Sequence, residues 1–406
     1  MTLYADFASQ DYFRDPAAAI AKLRAAGPVV EVRFPFVGKV WTTTTEALTE
    51  QVLKDSRTFT LRSDDGSIGG LRWWMPKTLR TIANSMLTMD EPDHGRLRGI
   101  VEEAFRRRAV LEMEPRILAL AAELADELFA AGSPADLVHR YARRLPLSVI
   151  SELLGLPLAD RPKFIAWADG FTRFNGAFGL LTVAPKIVAM KRYMEERLAV
   201  VRETGGTGLI AELVRVEKEG GRISRDEMVA MLFLLLIAGH ETTTHLISGA
   251  VLELLKNPGL RGWLQEDWSR ADLAVEEFLR FISPVQFTKP RFVRQDVELG
   301  GVRLKRGEMI MPMLAAANLD PHANPRPEAL DLARRPNRHV AFGAGIHFCL
   351  GHQLARIEGK CALQALFQRW PELALATEET RIRWRPRAGL RAIERLPVMM
   401  AGNAAT

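Results

Sequence analysis

The stretch FGAGIHFCLG at 342–351 limits what this chain can fold into more than any other. It is a glycine-rich turn that ends in a cysteine, and HQLARIEGKCALQALFQRW follows it with the apolar spacing of an amphipathic helix. Cys349 therefore stands at a helix N-terminus, where unpaired amides and the positive end of the macrodipole favour an anionic sulfur. A thiolate so placed can be a nucleophile, a zinc ligand or an iron ligand. Structural zinc takes about four N or S ligands, and the chain offers only one other cysteine, Cys361, and no Cys-x-x-Cys pair. A nucleophile needs a base, and His347 is close in sequence. Gly343, Gly345 and Gly351 suit a tight backbone passing a large flat group, with the sulfur as an axial ligand.

A second constraint is the apolar run MLFLLLIAGHETTTHLIS at 231–248. Ser224-x-x-Glu227 is a capping box, so a long helix is expected from Ser224 to Asn257-Pro258. The uninterrupted apolar part before Gly239 is shorter than the roughly 18 residues of a membrane span. A buried core helix is the consequence. Within it a glycine, an acid and hydroxyls at 239–243 stand where apolar residues belong, and such local inconsistency points to function.

Composition narrows the class further. With 48% hydrophobic and 26% charged residues the chain is globular, and MTLYADFASQDYFRDPAAAI carries neither a signal peptide nor a membrane anchor, so a cytoplasmic enzyme is expected. Two cysteines provide no disulfide framework and too few thiolates for an iron–sulfur cluster. The net charge of +6 suggests a basic face for an acidic protein partner, with no nucleic-acid motif beside it.

In MDEPDHGRLRGIVEEAF, Asp93 is a candidate helix cap, and His94 and Arg98 stand four apart on one face, where two cationic donors can bind the carboxylates of a buried ligand. In AVEEFLRF, Glu277 and Arg280 are three apart, a spacing that usually gives an exposed ion pair. Strands are expected over 28–45, turning near Gly38, and again in DVELGGVRL and EMIMPM.

Taken together, these motifs resemble the cytochrome P-450 family in its soluble bacterial form. FGAGIHFCLG is similar to its haem-binding loop, with Phe342, Gly343, Gly345, His347, Cys349 and Gly351 all matching. The resemblance implies a mainly α fold, a helical bundle around haem with a small β-rich region near 28–45, 285–315 and 380–400, in one catalytic domain over 1–406. Haem b would be ligated by Cys349, its propionates held by His94, Arg98 and Arg291, and its surroundings shared by Phe342, Gly343 and His347. Ala238 and Gly239 would leave room for O2, Thr242 would hydrogen-bond it and Glu241 would relay protons to it. Glu277 and Arg280, joined by Arg334, would form a buried support behind the haem. Leu319 departs from the pattern, since many relatives carry arginine there.

The same resemblance implies a monooxygenase that inserts one oxygen atom into a small apolar organic substrate. Its electrons would come from a separate ferredoxin or flavodoxin with an NAD(P)H-dependent reductase, docking on Arg106, Arg107, Arg108 and Arg356. Candidate substrate contacts are Trp73 and Trp74 in an irregular lid at 63–85, Phe171 and Phe174 in a glycine-interrupted roof, and Leu235, Ala238, Val285, Phe287, Ala392 and Ile393. Arg72, Lys77 and Arg80 could attract a substrate carboxylate. A different class also fits the loop: a haem protein that binds a ligand or gas without turnover, from which the Glu241/Thr242 pair discriminates. Members that carry out oxidative coupling are not separated by any residue here.

Overall fold

The alternation in PVVEVRFPFVGKVWTTTT becomes an antiparallel hairpin, Val29–Phe34 with Gly38–Thr43, in which Val32 lies opposite Val40. The structure, a computed structural model, describes residues 5–400 apart from 36, 70–83, 103–104, 106, 173–175 and 221–222. Packing divides the chain into two units, one of Met1–Gly70, Met113–Ala142 and Thr242–Thr406, the other of Leu71–Glu112 and Arg143–Glu241.

In the first unit the hairpin begins a five-stranded sheet. Gly38–Thr43 runs parallel to Met309–Ile310, which pairs antiparallel with Arg291–Val293, and Phe59–Thr60 forms the far edge. Val29, Val52, Phe59, Val293, Leu299, Leu304 and Ile310 bury one core beneath it. DVELGGVRL forms the expected small hairpin, Val297–Leu299 with Val302–Leu304, because Gly300 and Gly301 take φ of 57° and 77° at the turn. A third sheet joins Pro397–Met400 to Leu373–Leu375 and Ala135–Asp136. The Glu114–Glu127 and His352–Arg369 helices pack together, and Trp370 Nε1 donates to Ala125 O at 2.8 Å.

Helices make up the second unit. Asp93–Glu102, Arg144–Leu154, Arg161–Thr172, Gly176–Thr204 and Gly208–Gly220 are separated where the sequence has glycine-rich breaks. At two of these, Gly155 (φ 78°) and Gly208 (φ 75°), the backbones approach so closely that a Cβ on either would strike the other segment.

The Arg225–Lys256 helix contributes residues to both units. Its capping box is present, with Ser224 N donating to Glu227 Oε2 at 2.8 Å and Glu227 N to Ser224 Oγ at 3.3 Å, an arrangement that stabilises a helix by about 1 kcal/mol. By length and composition this helix could cross a membrane, yet 72% of its most apolar 18-residue window is buried within the protein, as in a core helix.

Candidate active site

The cysteine loop is shaped by two left-handed glycines, Gly343 at φ 71° and Gly345 at φ 70°. Gly345 is doubly constrained, since a Cβ there would collide with the Leu53 carbonyl oxygen. Gly351, expected to serve the same end, has φ −85° and open space around it, and it acts only as the N-cap of the His352–Arg369 helix. Gly343 N donates to Val340 O at 2.8 Å and Cys349 N to Phe342 O at 2.9 Å, so the loop folds back and brings Cys349 beside Phe342. Cys349 is half-buried. The other cysteine contrasts with it: Cys361 is buried, and desolvation pushes its thiol up to about 12, which makes it apolar filling.

One side of the loop is clamped. The Phe342 ring lies under the Arg356 guanidinium at 4.5 Å, and Arg356 in turn donates to Glu276 at 2.5 and 3.0 Å. His339 Nε2 meets the same carboxylate at 2.9 Å. Burial alone would raise the Glu276 pKa, but His339 and Arg356 hold it down to about 2. Arg356, expected on a partner-facing surface, thus has its charge matched inside this clamp. The sequence holds one signal for it: adjacent acids in AVEEFLRF project about 100° apart on a helix, so Glu276 and Glu277 need different partners.

Glu277 anchors the expected support, and Arg334 is indeed its second arginine. Glu277 and Arg280 are both 0% exposed and pair through two bonds of 2.8 Å, while Arg334 Nε reaches the same carboxylate at 3.1 and 3.2 Å. Asp331 N at 2.9 Å and Asn337 Nδ2 at 3.1 Å also donate to it. The guanidinium groups spend their remaining donors on carbonyls of Asn318, Pro325, Arg326, Pro327 and Ala329. The irregular segment from Asn318 to Asn337 is thereby tied to one carboxylate.

On the long helix the accessible positions between 234 and 242 are Leu234, Ile237, Ala238, Gly239, Glu241 and Thr242, and the spacing of 234, 238, 241 and 242 is that of one helix face. Leu235 lies off this face and is 8% exposed, so the accessible leucine is its neighbour Leu234. Gly239 has a packing reason beyond leaving space, because a Cβ there would stand 3.1 Å from Ile150. His240 is turned inward, its Nδ1 2.6 Å from Leu236 O.

Of the expected cations, Arg291 is 3% exposed and donates to Phe59 O at 3.1 Å. His94 is 2% exposed, and burial lowers its pKa, with Glu91 at 3.4 Å offsetting this only in part. Arg98 donates to Glu102 at 2.7 Å. Asp93 does not cap its helix; it lies within the first turn, and Glu91 Oε2 accepts from Gly95 N at 3.0 Å instead. Val285 is half-buried and bridges Leu390, while Phe287 (4% exposed) packs edge-on against Phe7 and Phe34, and Ala392 and Ile393 are 1% exposed. Trp73, Trp74, Arg72, Lys77, Arg80, Arg106 and Phe174 lie outside the described residues; Arg107 and Arg108 open the Arg107–Glu112 helix, and Phe171 lies in Arg161–Thr172.

One soft sulfur at a helix start, with a buried guanidinium and a buried imidazole suited to carboxylates, fits an iron porphyrin better than zinc or a nucleophilic thiol. In a mostly helical fold these are the residue types expected of a haem-thiolate protein. Comparison with known proteins agrees. The family model Cytochrome P-450 matches residues 187–381. The vitamin D(3) 25-hydroxylase of Pseudonocardia autotrophica is 41% identical over 98% of this chain and 97% of its own length. The cytochrome P-450 monooxygenase PikC of Streptomyces venezuelae is 36% identical over 96% and 92%. A crystal structure of a myxobacterial cytochrome P-450 in complex with myristic acid superposes with a TM-score of 0.88, at 35% identity over 96% of this chain and 98% of that one. The chain belongs to the cytochrome P-450 family. It is a haem-dependent monooxygenase that uses O2 and electrons derived from NAD(P)H through a redox partner to oxidise an organic substrate, and not a haem protein that only binds a ligand.

Proposed function

We propose that the chain acts as one cytoplasmic catalytic domain in which Cys349 is the axial thiolate, Thr242 and Glu241 manage protons, and His94, Arg98 and Arg291 bind the cofactor's carboxylates. Haem, when bound, supplies the activation of dioxygen and the transfer of one oxygen atom to a C–H or π-bond. The observation that carries the reading is the loop itself: Cys349 is half-buried at a helix start, on a backbone that Gly343 and Gly345 alone permit. The helix dipole and the loop favour the anionic sulfur.

Thr242 and Glu241 share the accessible face of the long helix with Ala238. A hydroxyl there can hold a proton in a hydrogen bond, and a half-exposed carboxyl next to it can exchange protons with solvent. Val285, half-buried and bridged to Leu390, remains the proposed apolar contact for an organic substrate. Relatives named as a vitamin D(3) 25-hydroxylase and a mycinamicin IV hydroxylase/epoxidase, and a neighbour solved in complex with myristic acid, support a sizeable apolar molecule. The donor is proposed to be a ferredoxin or flavodoxin with its reductase, since the chain has too few cysteines for an iron–sulfur cluster.

The test is the absorption spectrum of the reduced protein with carbon monoxide. A strongly red-shifted Soret band is expected; a histidine-type carbonyl band in folded protein would remove the thiolate. Thr242→Ala should keep that band while diverting reducing equivalents to hydrogen peroxide, by about tenfold or more relative to product. Undiminished coupling would end the proton role of Thr242.

A further inference from the structure

The clamp beside Cys349 is built from full charges, although apolar packing would be enough to hold a phenylalanine ring. Arg356 lies in the second turn of the His352–Arg369 helix, the helix that the cysteine loop leads into. Its guanidinium covers the Phe342 ring at 4.5 Å, and the Phe342 carbonyl accepts from Cys349 N at 2.9 Å. Arg356 Nη1 donates to His352 Nδ1 at 2.8 Å, while Nε and Nη2 donate to the two oxygens of Glu276 at 2.5 and 3.0 Å. The guanidinium is thereby held along two edges, and its charge is fixed over the loop.

The loop itself screens that charge poorly. Phe342 and Phe348 have ring centroids 6.4 Å apart, Phe348 and His352 4.9 Å, and Phe348 directly precedes Cys349. In such an aromatic, half-buried setting the effective dielectric is lower than that of water, so a fixed charge acts further. Glu276 opposes it. Burial works against a charged carboxyl there, yet His339 and Arg356 hold the Glu276 pKa at about 2, so the acid is ionised at neutral pH. The pair is a dipole, with its positive end on the Phe342 ring and its negative end on the Ala271–Ile282 helix. The next cation along the same helix, Lys360, is matched by other acids, Glu114 at 2.6 Å and Asp272 at 3.4 Å.

We propose that the Glu276–Arg356 pair sets the reduction potential of the haem: the Arg356 charge over Phe342 favours the reduced state, and Glu276 holds that effect down. The inference rests on the reading of Cys349 as the axial thiolate and deepens it. Adding one electron makes the group held by Cys349 more negative, so a fixed cation beside the loop stabilises the reduced form and raises the potential, and a fixed anion lowers it. Neither residue is catalytic; both act through the loop. The potential they set decides whether a donor of given strength can reduce the protein.

The experiment is a spectroelectrochemical titration of the purified haem-loaded protein, with small-molecule mediators and no protein donor. Glu276→Gln should raise the potential and Arg356→Gln should lower it, each by about threefold to tenfold in the one-electron equilibrium, tenfold being about 59 mV. The double variant removes both charges and should return to within about twofold of the unaltered protein. Arg356→Lys keeps the charge and should stay within about twofold as well, and Lys360→Gln, about one turn further along the helix, should move the potential less than Arg356→Gln does. A role confined to holding the loop would shift both single variants the same way and the double variant further, and that pattern overturns the proposal. Unmoved potentials overturn it too, as does a Lys360→Gln shift as large as that of Arg356→Gln. Where Arg356→Gln fails to retain haem, Glu276→Gln decides by sign, since a fall in potential overturns the pair. The carbonyl spectrum of the same samples separates the two readings: a thiolate-type band with unmoved potentials sinks this inference alone, and a histidine-type band in the unaltered protein sinks the thiolate.

Discussion

Glu277 is wholly buried and meets two guanidinium groups, whereas Glu276, one residue earlier on the same Ala271–Ile282 helix, keeps 29% of its side chain accessible and meets one guanidinium and one imidazole. The first network is closed, with its arginines' donors spread over carbonyls from 318 to 329. The second ends on the Phe342 ring, at the start of the cysteine loop. Two acids of the same type, on one helix, therefore act at different distances from the chemistry. Glu277 fixes the scaffold, and Glu276 sets the position of the loop that carries Cys349. What separates them is solvent: a carboxylate removed from water must be fully matched, while a half-exposed one can be adjusted at small cost.

The largest effect should come from breaking the closed network. Glu277→Gln leaves Arg280, which is 0% exposed, and Arg334 facing each other without a counter-charge. A loss of about 3–5 kcal/mol is expected, a large fraction of the net stability of a folded domain. Urea unfolding and haem content of the purified protein measure it. Near-normal stability would show that water screens these charges, and the contrast with Glu276 would collapse.

Glu276→Gln should cost less, about 1–2 kcal/mol at neutral pH, and should change how stability depends on acid. The folded-state pKa of Glu276, held at about 2, lies below that of an unfolded glutamate. Its contribution is therefore complete above the ordinary carboxylate range and is lost as pH falls from there through about 2. Thermal unfolding across that window should show a shallower decline in the variant than in the unaltered protein. Parallel curves would mean that His339 and Arg356 do not stabilise this carboxylate.

These two acids also mark how far the sequence is legible. Features written in local chemistry are readable: the Ser224 capping box, the Gly300-Gly301 turn, the alternating hairpin at 29–43, and the left-handed glycines before Cys349. Arg334 is reached only through the family resemblance, since no local rule pairs residues 57 apart. The Glu276–Arg356 pair, 80 residues apart, leaves only an unassigned acid as its trace. The two-residue strands Phe59–Thr60 and Ala135–Asp136 are equally silent, because they exist through their partners Arg291–Val293 and Pro397–Met400 and not through propensity. Leu235 is the leucine singled out in the sequence, whereas Leu234, turned from it by about 100°, is the more accessible of the two.

A third carboxyl sharpens the comparison with the smallest change. Glu358, on the helix after the cysteine loop, is as buried as Glu277 but has no cation with it: neither oxygen has a well-formed hydrogen bond among the described residues, and the Thr243 hydroxyl only partly offsets the effect of burial, which raises the pKa well above the ordinary glutamate value. Burial therefore favours its neutral form. Since its folded-state pKa exceeds the unfolded one, its contribution to stability is complete below the ordinary carboxylate range and declines as pH rises towards the folded value. Glu358→Gln keeps shape and neutrality and removes that titration. Its stability should lie within about 1 kcal/mol of the unaltered protein at pH 5, and the difference should move in the variant's favour by pH 8. Measuring the variant against the unaltered protein at both pH values cancels every other titrating group. A variant that loses ground between pH 5 and pH 8 would mean that Glu358 is charged and matched, as Glu277 is, and burial without a partner would no longer distinguish the two.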